Sequence, residues 1–244
     1  LSCRASIMPA SASPTPPAPL VILPGLICDS RMFGETLAAF PESRVMGGFY
    51  GGADRIEAMA DHVLARMPAR AALLGHSMGK TPDRVERLAL VDTGVHPVKP
   101  GEREGRYRLR DLGRAQGMAA LVAQWLPPMM GDAAARDDAL MARLTAMCVS
   151  AGLAVFEAQI EALLHRPALD ALLPAIGCPT AAIVGDQDRW SPVAQHEAIA
   201  TAIPGARLHV VPNAGHMLPA EAPDAFNRVV AQWLAMPALD QPAD

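Results

Sequence analysis

Little in this chain argues for a metal, a membrane or a nucleic acid. Its cysteines number four, Cys3, Cys28, Cys148 and Cys178, scattered and without a C-x-x-C pair. That excludes zinc-ribbon spacing, and a chain of 244 residues does not depend on disulfide staples, so a reduced cytoplasm is the expected location. No apolar run approaches the roughly 18 residues that a membrane-spanning helix needs. No apolar stretch follows Arg4 in the way a secretory signal would require. The net charge of -4 offers nucleic acid no electrostatic attraction. No His, Asp or Glu group has metal-ligand spacing, no G-x-G-x-x-G follows a strand-like run, and no segment repeats. Neither a metal nor a cofactor is expected.

What is present is a composition of 51% hydrophobic and 19% charged residues, that of one soluble globular domain with a well-buried core. Residues 9–19 (PASASPTPPAP) are too rich in Pro, Ser and Ala to pack. Residues 1–19 therefore read as a flexible tail, with Met8 as the candidate start, and residues 237–244 as a short C-terminal tail. Between them, short aliphatic runs alternate with longer amphipathic stretches, the pattern of an α/β fold with a mostly parallel sheet and helical crossovers. Strands are expected at residues 20–23, 44–46, 71–74, 87–91, 180–184 and 207–211. A helix is expected after Asp54, with Glu57 completing a capping box and Ile56, Met59, Ala60, Val63, Leu64 and Met67 at helical period. Another closes the chain, with Phe226, Val229, Val230, Trp233 and Leu234 on one face and Pro223 near its first turn. Residues 96–173 have helical composition and no strand-like run, so they read as a helical lid inserted into a core of residues 20–95 and 174–236.

The chemistry concentrates at three places. Gly75-His76-Ser77-Met78-Gly79 follows the apolar run Ala71-Ala72-Leu73-Leu74 directly. This is G-x-S-x-G in its strand-then-turn setting, where a serine on a strained turn is exposed as a nucleophile. Leu20-Val21-Ile22-Leu23-Pro24-Gly25-Leu26 is a strand ending in Pro-Gly. Such a loop presents free N–H groups and, with the residue after the nucleophile, supplies an oxyanion hole, which makes Leu26 and Met78 the donors. Near the end, Gly185-Asp186-Gln187-Asp188 follows one strand and Asn213-Ala214-Gly215-His216 follows the next. The order Ser77, Asp188, His216 makes His216 the base and Asp188 the acid that fixes its tautomer.

On these pieces the chain resembles the α/β-hydrolase superfamily, especially small esterase-like members that read LPGL-x-C-D at the oxyanion loop. LPGLICD, GHSMG, RVERLALVDTG, GDQDRWSP and GHMLPAEAP carry the resemblance, which runs from about Leu20 to Leu234. It implies a nucleophile at Ser77, an acid at Asp188, a base at His216 and oxyanion donors at Leu26 and Met78. Asp186 is the nearest rival acid. Asp92, after the strand at 87–91, is another, because some relatives place the acid there. In relatives a helix of about three turns follows GHSMG before the next strand; here Lys80 leads straight into Thr81-Pro82-Asp83-Arg84-Val85. A parallel crossover ordinarily takes a dozen residues or more, so the crossover helix is expected to be shortened or missing and the link extended. Uncovering even 200 Å² of apolar sheet would cost roughly 5 kcal/mol, which predicts a less stable and less active protein.

The resulting expectation is a cofactor-free serine hydrolase acting on a small-molecule carboxylic ester, thioester or lactone through an acyl-enzyme. An acyltransferase on the same triad, or an impaired scaffold or binding protein, remain the alternatives. Trp125, Met129 and Met130 are candidates for an apolar acyl pocket or for packing against the sheet. Arg103, Arg106, Arg108, Arg110 and Arg114 are candidates for an anion-attracting patch or for a solvated helix face.

Overall fold

Six short aliphatic runs pair into one parallel sheet in the computed structural model, which describes residues 18–47, 49–77 and 84–237. The strands are β1 (Leu20–Leu23), β2 (Arg44–Val45), β3 (Ala71–His76), β4 (Val85–Val91), β5 (Thr180–Gly185) and β6 (Arg207–Val211), in the order β2-β1-β3-β4-β5-β6. All six lie where the sequence placed strands. β3 and β5 run on into the motif residues His76 and Gly185, and β4 starts earlier, at Val85, opposite Ala71. β2 is only two residues long, although Met46 N–H still donates to Ile22 O at 2.9 Å.

The helices in chain order are α1 (Gly34–Ala39), α2 (Ile56–Leu64), α3 (Glu102–Gln116), α4 (Met118–Trp125), α5 (Asp138–Ala151), α6 (Leu153–Leu164), α7 (Val193–Ala202), α8 (Leu218–Glu221) and α9 (Pro223–Leu234). Because both faces of the sheet are covered, its strands are apolar at successive positions rather than alternating with polar ones. Ile22, Leu74, Val91 and Ile183 point into one core with Phe226 and Trp233 of α9 and with Leu144 and Phe156 of α5 and α6. Val21, Leu73, Leu88 and Ala182 point into the other, with Met59 and Val63 of α2 and Ile199 of α7.

Helices α3 to α6 form the insertion between β4 and β5. Gly117 (φ 86) and Gly152 (φ 83) separate its helix pairs in backbone conformations that a side chain would strain. Asp137 caps α5, its carboxylate accepting from Ala139 and Leu140 N–H at 3.0 Å each. The capping box expected at Asp54 does not form. α2 begins at Ile56 with extended Arg55 as its N-cap and no side-chain cap, so Asp54 stands one residue too early.

Residues 1–17, 78–83 and 238–244, which hold most of both expected tails, Met78 and the bulk of the shortened link, lie outside the described residues, as does Gly48. Among the described residues, no single helix is long and apolar enough to cross a membrane.

Trp233 is fully buried, and its indole N–H donates to Pro179 O at 3.3 Å, pinning α9 to the start of β5. Trp233→Ala removes that volume and one of the two bonds to the carbonyl, the other coming from Leu88 N–H at 3.0 Å; it should cost about 3–5 kcal/mol, read as a lowered urea midpoint at unchanged m-value.

Candidate active site

The loops that leave β1, β3, β4, β5 and β6 converge at the C-terminal edge of the sheet. Ser77 follows β3 with φ 64, a left-handed conformation costly for a non-glycine residue. The surroundings hold it there: its N–H donates to Val91 O at 3.0 Å and its carbonyl accepts from Thr93 Oγ at 3.0 Å. Gly25 of the loop after β1 packs against this turn. A Cβ on Gly25 would lie 2.8 Å from His76 Nδ1 and 2.9 Å from Ser77 Cβ, so only glycine lets the two loops approach so closely. In that loop Ile27 N–H donates to Gln159 Oε1 at 2.7 Å, and Cys28 N–H donates to Gly25 O at 3.1 Å. No such acceptor takes the Leu26 N–H among the described residues, and Leu26 lines the same cavity as Ser77.

His216 follows β6. Its Nδ1–H donates to Asp188 Oδ2 at 2.8 Å, which leaves Nε2 as the basic nitrogen. Asp188, after β5, also accepts from Trp190 N–H (2.8 Å), Ser191 N–H (2.9 Å) and Ser191 Oγ–H (2.8 Å). Burial opposes its ionisation, but the bonds from His216 and Ser191 outweigh burial and hold Asp188 below the usual carboxylate range. Ser77 and His216 line one cavity of about 830 Å³, and no hydrogen bond joins their side chains among the described residues.

The rival acids stand elsewhere. Asp186 is exposed. Asp92 is fully buried beside His76, 3.8 Å from its Nε2, with one oxygen on Gly185 N–H at 3.1 Å and the other unpartnered. Burial and the nearby Asp188 charge push Asp92 well above the ordinary carboxylate range. His76 is buried and neutral, pushed down to about 3 by burial and by His216. Its Nε2–H donates to the His216 carbonyl at 2.8 Å, bracing the residue that follows β6 against the one that precedes Ser77.

Besides the Gln159 bond to Ile27, the insertion is bonded to this edge around His216. His216 N–H donates to Met129 O at 2.7 Å. Glu221 gathers three further N–H groups: Gly131 (2.8 Å), Gly215 (2.9 Å) and Met217 (2.9 Å). Trp125 and Met129 are buried and line the cavity, whereas Met130 is packed into the core. Of the five arginines in α3, only Arg106 is buried and faces the cavity. Arg103 and Arg110 lie over Tyr107, and Arg114 pairs with Glu157. No group of three or more metal-ligating side chains occurs among the described residues.

Sequence reasoning missed Ser191, Gln159, Glu221 and the bracing role of His76. Ser191 had a local signal, since Asp-x-x-Ser at a strand end is an Asx-type turn. The others act across the fold, as Ile27 and Gln159 do from 132 residues apart.

Comparison with known proteins agrees with the fold. A model described as "Alpha/beta hydrolase family" matches residues 14–229. A 2-hydroxy-6-oxononadienedioate/2-hydroxy-6-oxononatrienedioate hydrolase of Escherichia coli K12 is 31% identical over 184 residues, 69% of this chain but only 64% of that protein. The structure of a thermophilic esterase from Thermogutta terrifontis, malate bound, superposes with a TM-score of 0.78 at 28% identity over 89% of both chains. That of the enol-lactonase from Burkholderia xenovorans LB400 gives 0.77 at 28% identity over 90% of this chain and 92% of its own.

The contact between the insertion and the His216 loop is tight enough to test. A Cβ on Gly215 would lie 2.4 Å from Gly131 N and 2.6 Å from Met129 O, both backbone atoms. Gly215→Ala should therefore push Met129 and Gly131 away and cost about 1–3 kcal/mol. Amide hydrogen exchange should show lost protection at His216 and Gly131 first.

Proposed function

The chain belongs to the alpha/beta hydrolase family and carries its fold, and from that premise we propose that it is a serine hydrolase cleaving a carboxylic ester, thioester or lactone through an acyl-enzyme. The observation that carries this reading is the 2.8 Å contact of His216 Nδ1 with Asp188 Oδ2, beside a cavity that His216 shares with a strained Ser77.

In this reading Ser77 Oγ attacks the acyl carbon, His216 Nε2 takes its proton, and the imidazolium is stabilised by an Asp188 that stays ionised. The carbonyl oxygen becomes an oxyanion, for which Leu26 N–H and Met78 N–H are the proposed donors. The proton on His216 passes to the leaving alkoxide or thiolate; water, deprotonated in turn by His216, then releases the acid and regenerates Ser77. The lid residues Trp125 and Met129 form an apolar wall for the acyl group. That two relatives are named an esterase and an enol-lactonase supports the ester or lactone class over amides.

A slower catalyst is favoured by one observation. β3 ends at His76 and β4 starts at Val85 in parallel register, so residues 77–84 alone return the chain, fewer than the dozen a parallel crossover ordinarily takes.

A fluorophosphonate probe should label Ser77 covalently, and Ser77→Ala should abolish labelling while the unfolding midpoint stays put. Asp188→Asn should lower kcat by about 10⁴, through loss of the productive tautomer. Asp92→Asn should cost far less, since that residue meets His76 and not His216. A larger loss in Asp92→Asn than in Asp188→Asn would move the acid role to Asp92.

A further inference from the structure

Where the insertion meets the cavity, two guanidinium groups share a single carboxylate. Glu102 Oε1 accepts from Arg106 Nε (3.0 Å), Arg106 Nη2 (2.8 Å) and Arg166 Nη1 (2.7 Å), while Oε2 accepts from Arg166 Nη2 (2.8 Å) and Lys99 N–H (3.2 Å). Glu102 is thus saturated, and against burial, which would raise it, the two arginines hold it down at about 2, fully ionised. Arg166 is spent on structure as well: Nε bonds His96 O (2.9 Å), Nη1 bonds Leu163 O (2.8 Å) and Nη2 reaches Pro97 O (3.3 Å).

Arg106 differs. Only 8% of it is exposed, it lines the cavity, and both of its bonds are made through Nε and Nη2. Its Nη1 has no acceptor among the described residues. Two cations against one anion leave a surplus positive charge on a largely buried wall, and a buried surplus charge is costly until an anion meets it. Burial and the Arg166 charge both press against the Arg106 cation, which an incoming anion would relieve.

The position suits substrate rather than scaffold. The Arg106 guanidinium lies 5.9 Å from the Trp190 ring, and Trp190 N–H bonds the acid Asp188. Trp190 is 48% exposed, and beside Arg106 it shares a second small recess with Leu26 and Trp125.

We propose that Arg106, backed by Glu102 and Arg166, anchors a free carboxylate on the substrate, so that the preferred ester or lactone is one whose acyl or ring portion carries a second, ionised carboxyl group. This rests on the hydrolase reading for its chemistry, but not for its binding. A carboxylate fits because one guanidinium edge and one surplus charge are on offer; a phosphate dianion would need further donors.

The test has two arms. Glutarate and its neutral diamide are titrated into the intact protein while tryptophan emission is followed, since Trp125 and Trp190 border the site. Glutarate should bind and the diamide should not. Arg106→Met should weaken glutarate by about 10-fold or more, the scale of one charged hydrogen bond, and Arg106→Lys, which keeps the charge but not the fork, should fall between. In the second arm, kcat/KM for mono-4-nitrophenyl glutarate should exceed that for 4-nitrophenyl pentanoate by about 10-fold, and Arg106→Met should bring the ratio near one. Equal binding of diamide and glutarate overturns the proposal even if neither variant folds. So does a glutarate affinity indifferent to both substitutions in folded protein. If glutarate binds through Arg106 while Ser77 resists the fluorophosphonate, the anion site stands and the hydrolase reading falls. If Ser77 is labelled and the two esters react alike, the anion site falls alone.

Discussion

The 2.7 Å hydrogen bond from His216 N–H to Met129 O is the joint on which the candidate site depends. Among the described residues it is the only place where the insertion is bonded to the base itself, and the glycines nearby are what allow it. Gly185 yields to the Ala214 carbonyl, which a Cβ there would meet at 2.2 Å, and Gly215 yields to Gly131 and Met129. Glu221 then closes three N–H groups from both sides of the joint under one carboxylate. The insertion therefore does more than cover the cavity. Its 129–131 turn sets the backbone of His216, and α6, through Gln159, sets the loop that holds Leu26. Outward-facing lid positions are free to vary, whereas these contacts tolerate no added volume.

Two buried carboxyl groups, Asp92 and Asp188, and the half-buried Glu221 stand close together at this edge, and the difference in what each receives decides its chemistry. Asp188 has donors on both oxygens and remains ionised against burial. Asp92 has one backbone N–H and feels the Asp188 charge, so its neutral form is favoured. Glu221 is pushed up by burial in spite of its three N–H partners. Two neighbouring carboxylates in a low-dielectric edge cannot both ionise cheaply, and the donors from His216 and Ser191 settle which one does. The same logic makes His76 a brace: a neutral imidazole can donate to the His216 carbonyl without adding charge beside the base.

Much of the fold was legible because the strand runs are apolar on both faces and end in motif residues, so that β1, β3 and β5 point at Gly25, Ser77 and Asp188. The insertion was legible as a stretch without such runs. Local detail was less so: Asp54 looked like a cap, but the chain turns helical only after an extended Arg55. Arg106 shows why the rest was hidden. Five arginines within twelve residues look alike in composition, yet Glu102, Arg106 and Gly113 lie along the inward face of α3, and the i,i+4 pair Glu102–Arg106 falls on it. Helical period marks the position; only the fold supplies Arg166 as the second cation and the cavity as the reason for it.

The cavity joins two environments that reinforce each other. Along β4 its wall is Val85, Leu88 and Leu90, apolar and turned away from water; at the insertion it is Glu102 and Arg106. An apolar wall lowers the local dielectric, and a charge pair or an unmet charge counts for more there than at the surface. The burial that raises Asp92 is thus the same condition that gives Arg106 its unmet demand and Asp188 its need for four donors. A carboxylate seated at Arg106 would meet that demand, while the reacting carbonyl would lie towards Leu26 and Ser77. Charge at one end and apolar wall at the other would then fix the direction in which a substrate lies, before any contact with the nucleophile is made.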